Sequence, residues 1–345
     1  MGFVYKNKYS ILKLGLSVLL KRPYSFANVI RLNDDCNLRC SYCSSPEKDR
    51  EVEFNSLITY LDAQYKLGCR YVVLSGGEPT MYSNIDRLLD WLNEKEFYIC
   101  INTNGYEINS KRYRELILKV DEVAISLDGP KVYHDQLRGK GSHLKALKAI
   151  VFARNNFLKV SISPVLHKFN MRDDLLVYFY RLRQNHGLHI DYGIVDPRGD
   201  VTKTTSSKQI APSEKQRTEF FKKLRQFKKD YGLYEISSEL IDYMEFPKPV
   251  VCEASNFIRF LDLTGSIHPC MHVAGEDWSE GGSIEHGVAD NYEGNCIECD
   301  YCSCNPIYLV NDFLKNKFSL IPLLKMALTR ASGFRPRFLW KQLRR

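Results

Sequence analysis

Short apolar runs alternate with longer amphipathic runs between residue 26 and about residue 195. The short runs are rich in β-branched and aromatic residues, and the longer ones repeat apolar residues at helical spacing. This alternation is typical of βα units around a parallel sheet. Strands are predicted at 27–32, 71–75, 98–103, 122–127, 159–165 and 190–195, and helices at 56–67, 85–95, 110–119, 143–155 and 171–185. The pattern predicts an α/β fold, a partial (βα)6 TIM-like barrel, short of the eight units of a closed barrel.

The pattern changes after residue 195. A stretch rich in Ser, Thr, Pro and Gly predicts a loop over 196–212, and a basic amphipathic run predicts a helix over 212–231. Further on, 257–263 and 266–269 predict a hairpin that turns at Gly265. Four regions follow from these patterns: a basic amphipathic N-terminal segment (1–25), the barrel (26–235), a small cysteine-rich extension (236–310) and a basic amphipathic C-terminal tail (311–345).

Composition excludes two classes of protein. Hydrophobic residues make up 44% and charged residues 26% of the 345 residues, which is ordinary globular usage and argues against a membrane bundle and a disordered chain. The net charge of +8 is concentrated at the ends. Residues 1–26 carry +5 and residues 315–345 carry +9, with no acidic residue in either segment, so the middle of the chain carries about −6.

Both ends also contain leucine-rich runs that are too short to span a membrane. Lys13 interrupts the first run and no small-residue cleavage site follows, so we expect no export and a cytoplasmic protein. A basic amphipathic end can make a peripheral membrane contact, pack on the barrel as a terminal helix, or attract an acidic or phosphorylated substrate. Nucleic acid is not expected, because basic and aromatic residues do not interleave along a predicted sheet face.

Cysteine spacing points to metal chemistry. Seven of the eleven cysteines form two tight clusters, which favours metal binding over disulfides and fits a reducing compartment. Cys36, Cys40 and Cys43 form a C-x3-C-x2-C triplet in the loop after the first predicted strand. Three thiolates can hold a 4Fe-4S cluster, which takes four when fully protein-bound, and so leave one iron open to a small molecule. A zinc site that lacks one ligand is the alternative.

The triplet, with Tyr42 directly before its third cysteine, resembles the signature of the radical S-adenosylmethionine (SAM) superfamily over residues 26 to about 195. The resemblance implies SAM at the open iron and places Tyr42 at the cofactor site. Gly76, Gly77, Glu78 and Pro79 end the second strand and are similar to the family's GGEP element. That similarity implies that Gly76, Gly77 and Glu78 bind the methionyl amino group of SAM. Glycines permit close approach of the backbone to a ligand, and a carboxylate suits an ammonium.

The run 124–130 (AISLDGP) and Arg138 resemble the family's fourth strand and its exit. By this similarity Ser126 contacts the ribose or carboxylate of SAM, and Arg138 pairs with the carboxylate. Asn104 and Asp128 are two further cofactor contacts by resemblance, although both residue types also cap turns. No residue is identified that would act directly on the substrate.

The resemblance also implies the reaction of an enzyme of oxidoreductase type. The reduced cluster passes an electron to SAM, which yields methionine and a 5′-deoxyadenosyl radical that abstracts hydrogen from the substrate. An electron donor such as flavodoxin or ferredoxin is implied as a partner. The protein's share is to position the reactants and exclude water and oxygen.

A second cysteine cluster begins with Cys252, Gly265 and Cys270, spaced C-x12-G-x4-C. This spacing resembles the SPASM or twitch extension, which implies an auxiliary 4Fe-4S cluster; we expect one, because no cysteine follows residue 304. Zinc is the alternative. The candidate ligands, of which four are needed, are Cys252, Cys270, Cys296, Cys299, Cys302 and Cys304.

Three functions compete. SPASM and twitch relatives imply a peptide or protein substrate that is oxidised, cross-linked or epimerised, although about 25 residues before the barrel are too few for a fused leader-binding domain. The second is oxidation or rearrangement of a sugar, cyclitol or lipid-linked small molecule. The third is a non-catalytic iron-sulfur or zinc binding protein, which would have no need of a SAM pocket.

Overall fold

The computed structural model describes residues 2–20, 24–43, 50–195, 209–231, 238–246, 250–252, 256–268, 282–283 and 297–299. Its helices are α1 (Gly2–Leu20), α2 (Phe54–Leu67), α3 (Ile85–Glu94), α4 (Lys111–Ile117), α5 (Lys131–Arg138), α6 (Ser142–Asn155), α7 (Asp173–His186), α8 (Glu214–Tyr231) and α9 (Ser238–Glu245). Its strands are β1 (Ala27–Arg31), β2 (Tyr71–Ser75), β3 (Tyr98–Thr103), β4 (Glu122–Ile125), β5 (Lys159–Ile162), β6 (Val165–Leu166), β7 (His189–Ile190), β8 (Gly193–Ile194), β9 (Val250–Cys252), β10 (Ile258–Leu261), β11 (Ser266–His268), β12 (Gly282–Ser283) and β13 (Ile297–Cys299).

Nine strands form the main sheet, in the order β12-β11-β10-β1-β2-β3-β4-β5-β7. The six strands from β1 to β7 in this order pair in parallel, which confirms the partial (βα)6 barrel. The two edge strands, β12 and β7, do not pair with each other among the described residues, so the barrel stays open at one side.

The core packs against one face of the parallel strands. Ile30, Leu74, Ile101, Ile125 and Ile162 come from five successive strands, and all are fully buried in one hydrophobic cluster. Burial of each such side chain contributes about 1.5–3 kcal/mol relative to exposure. The strands therefore present a rigid carboxyl-terminal edge to the loops that follow them.

Three elements differ from the prediction. The strand expected at 159–165 splits into β5 and β6, because Pro164 has no N–H to donate to the ladder. The strand expected at 190–195 likewise splits, into β7 and β8, and β8 pairs with β6. Helix α5 was not predicted, since its sequence is mostly polar and lacks a continuous apolar period.

The hairpin that turns at Gly265 is confirmed as β10 and β11, with φ +83 at the glycine. Strand β10 also pairs in parallel with β1, so the hairpin continues the barrel sheet across the boundary expected at residue 236. No helix among the described residues is long and apolar enough to cross a membrane.

Candidate functional site

The three clustered cysteines lie on the loop that leaves the carboxyl end of β1. Their side chains are partly exposed and form no disulfide, and the Cys43 amide donates to the Cys40 carbonyl at 3.0 Å. Burial raises the pKa of Cys40 to about 11, against an opposing effect of Arg138. Burial likewise raises the pKa of Cys36, and the neighbouring Cys43 adds to that shift. The thiols are therefore electrostatic neighbours, and their ionised forms need a positive partner such as a metal.

The donor set fits an iron-sulfur cluster better than a single ion. Within the described residues, no group of three His, Cys, Asp or Glu side chains could hold one metal ion. A 4Fe-4S cluster does not require such convergence, because each thiolate binds a different iron. Three soft thiols on one loop, close enough to shift one another's pKa, meet the requirement of a cluster with one open iron.

The GGEP loop after β2 packs directly on the start of the cysteine loop. The Gly77 amide donates to the Asn33 carbonyl, and the Glu78 amide donates to the Asp35 carbonyl, both at 2.7 Å. A Cβ on Gly77 would lie 2.2 Å from the Asp35 oxygen, and one on Gly76 would lie 2.4 Å from the Asn33 side-chain oxygen. The cysteine loop itself therefore requires a glycine at both positions, and the contact of these glycines with SAM stays a prediction.

The Glu78 carboxylate is buried, with the residue only 1% exposed, and bonds to the protein. Its Oε1 accepts the hydroxyls of Thr80 and Thr103 at 2.7 and 2.8 Å, and its Oε2 accepts the Asn104 amide at 2.8 Å. Burial raises the pKa of Glu78, and these hydrogen bonds oppose the rise. The carboxylate ties the ends of β2 and β3 together, and its contact with the methionyl amino group of SAM stays a prediction. The sequence analysis assigned no role to either threonine.

Asn104 connects β3 to the cysteine loop. Its side-chain amide donates to the Asn37 side-chain oxygen at 2.8 Å and lies 3.7 Å from the Cys36 sulfur. Its side-chain oxygen also accepts the Tyr106 amide at 2.8 Å, so the turn-capping alternative holds as well. Asn104 therefore lies beside the cysteine loop, and its contact with SAM stays a prediction.

A buried ion pair anchors the other end of the cysteine loop. Arg138 donates to Asp128 through Nε at 2.6 Å and through a terminal nitrogen at 3.1 Å. The Tyr42 hydroxyl donates to the same carboxylate at 2.9 Å, and the Val165 amide donates at 3.0 Å. The Ser41 amide also bonds to the α5 backbone, at the Leu137 carbonyl, at 2.9 Å. The loop is thereby fixed to the ends of β4 and α5.

This pairing gives Asp128 and Arg138, two expected SAM contacts, a partner within the protein. Each oxygen of Asp128 accepts two hydrogen bonds, which uses the whole acceptor capacity of the carboxylate. Burial alone would raise the pKa of Asp128, but the charge and hydrogen bonds of Arg138 outweigh it and lower the pKa. Arg138 uses two of its five N–H donors on this buried partner, and the contacts of Asp128 and Arg138 with SAM stay predictions. Tyr42 lies at the site, where its hydroxyl donates to the Asp128 carboxylate.

Two neutral histidines surround the ion pair, and the sequence analysis missed both. His134 accepts the Asp128 amide through Nδ1 at 3.1 Å, and His167 accepts the Phe169 amide at 3.2 Å. Burial lowers the pKa of His134 to about 3 and that of His167 to about 4. The only signal for these histidines in the sequence is their position. His134 follows the AISLDGP run, and His167 follows β6.

The remaining predicted residues lie in two places. Ser126, partly exposed, directly follows β4, where its amide bonds to the Thr103 carbonyl at 2.9 Å; its contact with SAM stays a prediction. Strands β9 and β13 pair with Cys252 opposite Ile297 and Cys299 opposite Val250, so the two cysteines occupy diagonal backbone positions. The other candidate ligands, Cys270, Cys296, Cys302 and Cys304, lie outside the described residues.

Comparison with known proteins agrees with this arrangement. Residues 30–178 match the model of the Radical SAM superfamily. The chain is 34% identical to Fe-coproporphyrin III synthase of Methanosarcina barkeri over 44% of this chain and 39% of the relative, and 27% identical to mycofactocin maturase MftC of Mycolicibacterium smegmatis over 74% and 67%. Among solved structures, Streptococcus suis SuiB bound to its precursor peptide SuiA shares the fold, with TM-score 0.61 and 18% identity over 83% of this chain and 71% of that one.

The first of these relatives is matched over much less than two thirds of its own length. The family match nevertheless covers the cysteine loop, the GGEP loop and the Asp128–Arg138 pair, all within one domain. The family implies a 4Fe-4S cluster and SAM. This loop supplies three thiols for the cluster, which would leave one iron open to SAM. The chain therefore contains a radical SAM domain at residues 30–178.

Proposed function

We propose that this radical SAM enzyme modifies a peptide or protein by oxidation, cross-linking or epimerisation. The observation that carries the proposal is the cysteine loop, clamped between the GGEP loop on one side and the Asp128–Arg138 pair on the other. When bound, the reduced cluster and SAM supply a radical that abstracts a hydrogen atom. The residues of this chain hold the loop, order the site and exclude water.

Preorganisation of the loop is the protein's first contribution. Asn33 and Asp35 are bonded to the GGEP loop, and Tyr42 is bonded to Asp128. These contacts fix the loop before and within the triplet. Because a misplacement of about 1 Å can cost a hundredfold in rate, fixed thiol positions are a requirement of the reaction.

Exclusion of water is the second contribution. Tyr42, Leu137, Val195 and Ile210 form a buried hydrophobic cluster, and Cys40 packs against it. This hydrophobic surface would lie beside the iron-sulfur cluster, where a low dielectric constant strengthens local electrostatic interactions and the surface keeps solvent from reactive species. Cys40 therefore binds iron on the dry side of the loop.

Two observations support a peptide as the substrate. The relatives include mycofactocin maturase MftC, and SuiB is known with its precursor peptide bound. The described sheet is open between its edges β7 and β12, which suits lateral entry of an extended chain. The similarity to Fe-coproporphyrin III synthase favours a small molecule as the second candidate.

We also propose one auxiliary 4Fe-4S cluster. Cys252 and Cys299 lie on paired strands at diagonal positions, where antiparallel neighbours are about 7–8 Å apart. This supports a shared site for them. Iron and zinc counts on the reconstituted chain test it: two clusters require about eight irons, whereas about four irons plus zinc contradict it.

The substrate proposal is tested with the reconstituted chain, SAM and dithionite under anaerobic conditions. Short peptides encoded beside the gene are supplied one at a time, with an iron coproporphyrin in a parallel reaction. A peptide substrate raises the yield of 5′-deoxyadenosine and changes in mass. If only the porphyrin raises the yield, the peptide proposal is wrong and the small-molecule candidate replaces it.

A further inference from the structure

Helix α1 lies at the amino-terminal edge of the barrel sheet, opposite the cysteine loop. Lys6 Nζ donates to the Phe97 carbonyl at 3.1 Å and to the Asp121 carboxylate at 2.9 Å. The Ser10 hydroxyl donates to the Gly68 carbonyl at 2.6 Å. Each of these acceptors stands shortly before a strand, β2, β3 or β4. The helix is thus held on the barrel by polar contacts.

The side of α1 that faces the barrel is polar. Ser10 is fully buried, Ser17 is 8% exposed, and Lys13 Nζ donates to the Leu67 carbonyl at 2.8 Å. An ordinary surface helix buries its apolar residues and turns its polar face to water. Ser10, Lys13 and Ser17 of α1 depart from this arrangement.

Four apolar residues of α1 are exposed instead. Tyr9, Leu12, Leu16 and Leu20 are 51%, 63%, 49% and 61% exposed, and their spacing of three or four residues places them on one helical face. We call these four residues the outer stripe. Exposed apolar side chains are ordinary when scattered, but a contiguous stripe marks an interaction surface.

The same edge of the barrel exposes further apolar side chains. Leu67 ends α2, and Leu118 and Phe157 lie in turns. The three residues stand shortly before β2, β4 and β5 and are 39%, 49% and 77% exposed. Phe157 has φ +61, a conformation that disfavours a bulky residue. An exposed aromatic residue retained at a strained turn is consistent with a functional surface.

We propose that the outer stripe docks α1 on an anionic lipid surface. Charge identifies the occupant: residues 1–26 and 315–345 contain no acid, whereas the rest of the chain is acidic. Besides Lys6 and Lys13, which bond to the barrel, these two segments carry Lys8, Lys21, Arg22 and nine further basic residues. Basic residues that flank an apolar helical face attract anionic headgroups while the apolar side chains enter the acyl boundary.

The other two occupants available within this protein have the wrong charge. A second copy would bring two +5 segments together, and the basic C-terminal segment would place +9 beside +5. Like charges so placed repel. A lipid surface instead leaves the carboxyl-terminal edge, with its cysteine loop, facing away from the bilayer.

Vesicle flotation of the full chain tests the proposal, and its result is independent of the proposed function because no SAM or substrate is present. The probes are phosphatidylcholine vesicles with and without phosphatidylglycerol. We expect binding only to the anionic vesicles, weakened by added salt. Leu16→Gln is expected to lower the partition coefficient about fivefold, and Leu12→Gln with Leu16→Gln roughly 20-fold.

Leu144→Gln is the matched control, because Leu144 is 48% exposed on α6, away from this edge. It is expected to leave vesicle binding unchanged. Hydrogen exchange of the wild-type chain adds a measurement without substitution: amides of 9–20 are expected to slow on anionic vesicles, and amides of α6 are not.

Three outcomes overturn the proposal. The first is an absence of binding to anionic vesicles. The second is binding that the double variant leaves intact, which would assign the lipid contact to another segment. The third is an outer-stripe substitution that turns a dimer into a monomer in light scattering without any vesicle binding, which would make a second copy the occupant.

Discussion

The hydroxyl of Tyr42 offers a one-atom test of how the cysteine loop is held. Tyr42→Phe removes the 2.9 Å hydrogen bond to the Asp128 carboxylate and leaves the ring in its buried position. A hydrogen bond to a charged group contributes about 1.5–3 kcal/mol, so we expect the free energy of unfolding to fall by about that amount.

Part of this lost stability is expected to weaken iron binding by the cysteine loop. The substituted residue lies between two ligands, Cys40 and Cys43, and without its bond the loop samples positions that do not match the irons. If about 1.4 kcal/mol of the loss falls on the loaded loop, release of iron becomes about tenfold more favourable. Iron and sulfide retained under a fixed chelator challenge measure this effect.

Tyr98→Phe is the matched control. The Tyr98 hydroxyl donates to the Glu122 carboxylate at 3.0 Å, a buried phenol–carboxylate bond at the amino-terminal end of β4. This variant is expected to lose similar stability and to retain its iron. The reasoning is refuted if both variants release iron at the same rate, or if Tyr42→Phe unfolds at the wild-type denaturant midpoint.

Three further changes have expected outcomes. Gly77→Ala places a Cβ 2.2 Å from a backbone oxygen of the cysteine loop, so we expect loss of iron and a lower Tm. Gly15→Ala, with open space around it in α1, is the control and is expected to be neutral or up to about 1 kcal/mol stabilising. Wild-type iron content in Gly77→Ala would contradict this reasoning. Asp128→Asn leaves the buried Arg138 without its counter-charge and is expected to cost about 3–5 kcal/mol in denaturant unfolding; a cost under about 1 kcal/mol would contradict a buried ion pair. Burial lowers the pKa of His134 to about 3 from its ordinary 6.5, so the unfolded chain binds a proton between these values that the folded chain does not, and stability falls as pH drops below 6.5. His134→Asn is expected to reduce that slope by up to about 1.4 kcal/mol per pH unit, and an unchanged slope would show that the histidine is not held neutral.

The sequence predicted the parallel strands well because their apolar runs are short and uninterrupted, and their bounds at 71–75 and 98–103 agree with β2 and β3. It also identified the cysteine loop and the GGEP loop, since their spacing is local. The partners of buried polar groups were not predictable in this way. Glu78 bonds to Thr103 across two strands, and Arg138 bonds to Asp128 through a helix that has no apolar period.

The orientation of α1 shows a second limit. Periodicity indicates that a helix has two faces, but which face is buried depends on the surface it meets. Here that surface consists of the carbonyls of Gly68 and Phe97 and the carboxylate of Asp121, which select serine and lysine side chains. A polar surface therefore binds Lys6 and Ser10, side chains that hydrophobicity alone would place in water.

Formation of 5′-deoxyadenosine by the reconstituted chain, with SAM and dithionite under anaerobic conditions, tests the central claim most directly. The account predicts equal amounts of 5′-deoxyadenosine and methionine from the wild type, and none from Cys40→Ala. Cys100→Ala, at a buried cysteine of β3 far from the triplet in sequence, is expected to retain the activity. No 5′-deoxyadenosine from the wild type, or wild-type yields from Cys40→Ala, would contradict it.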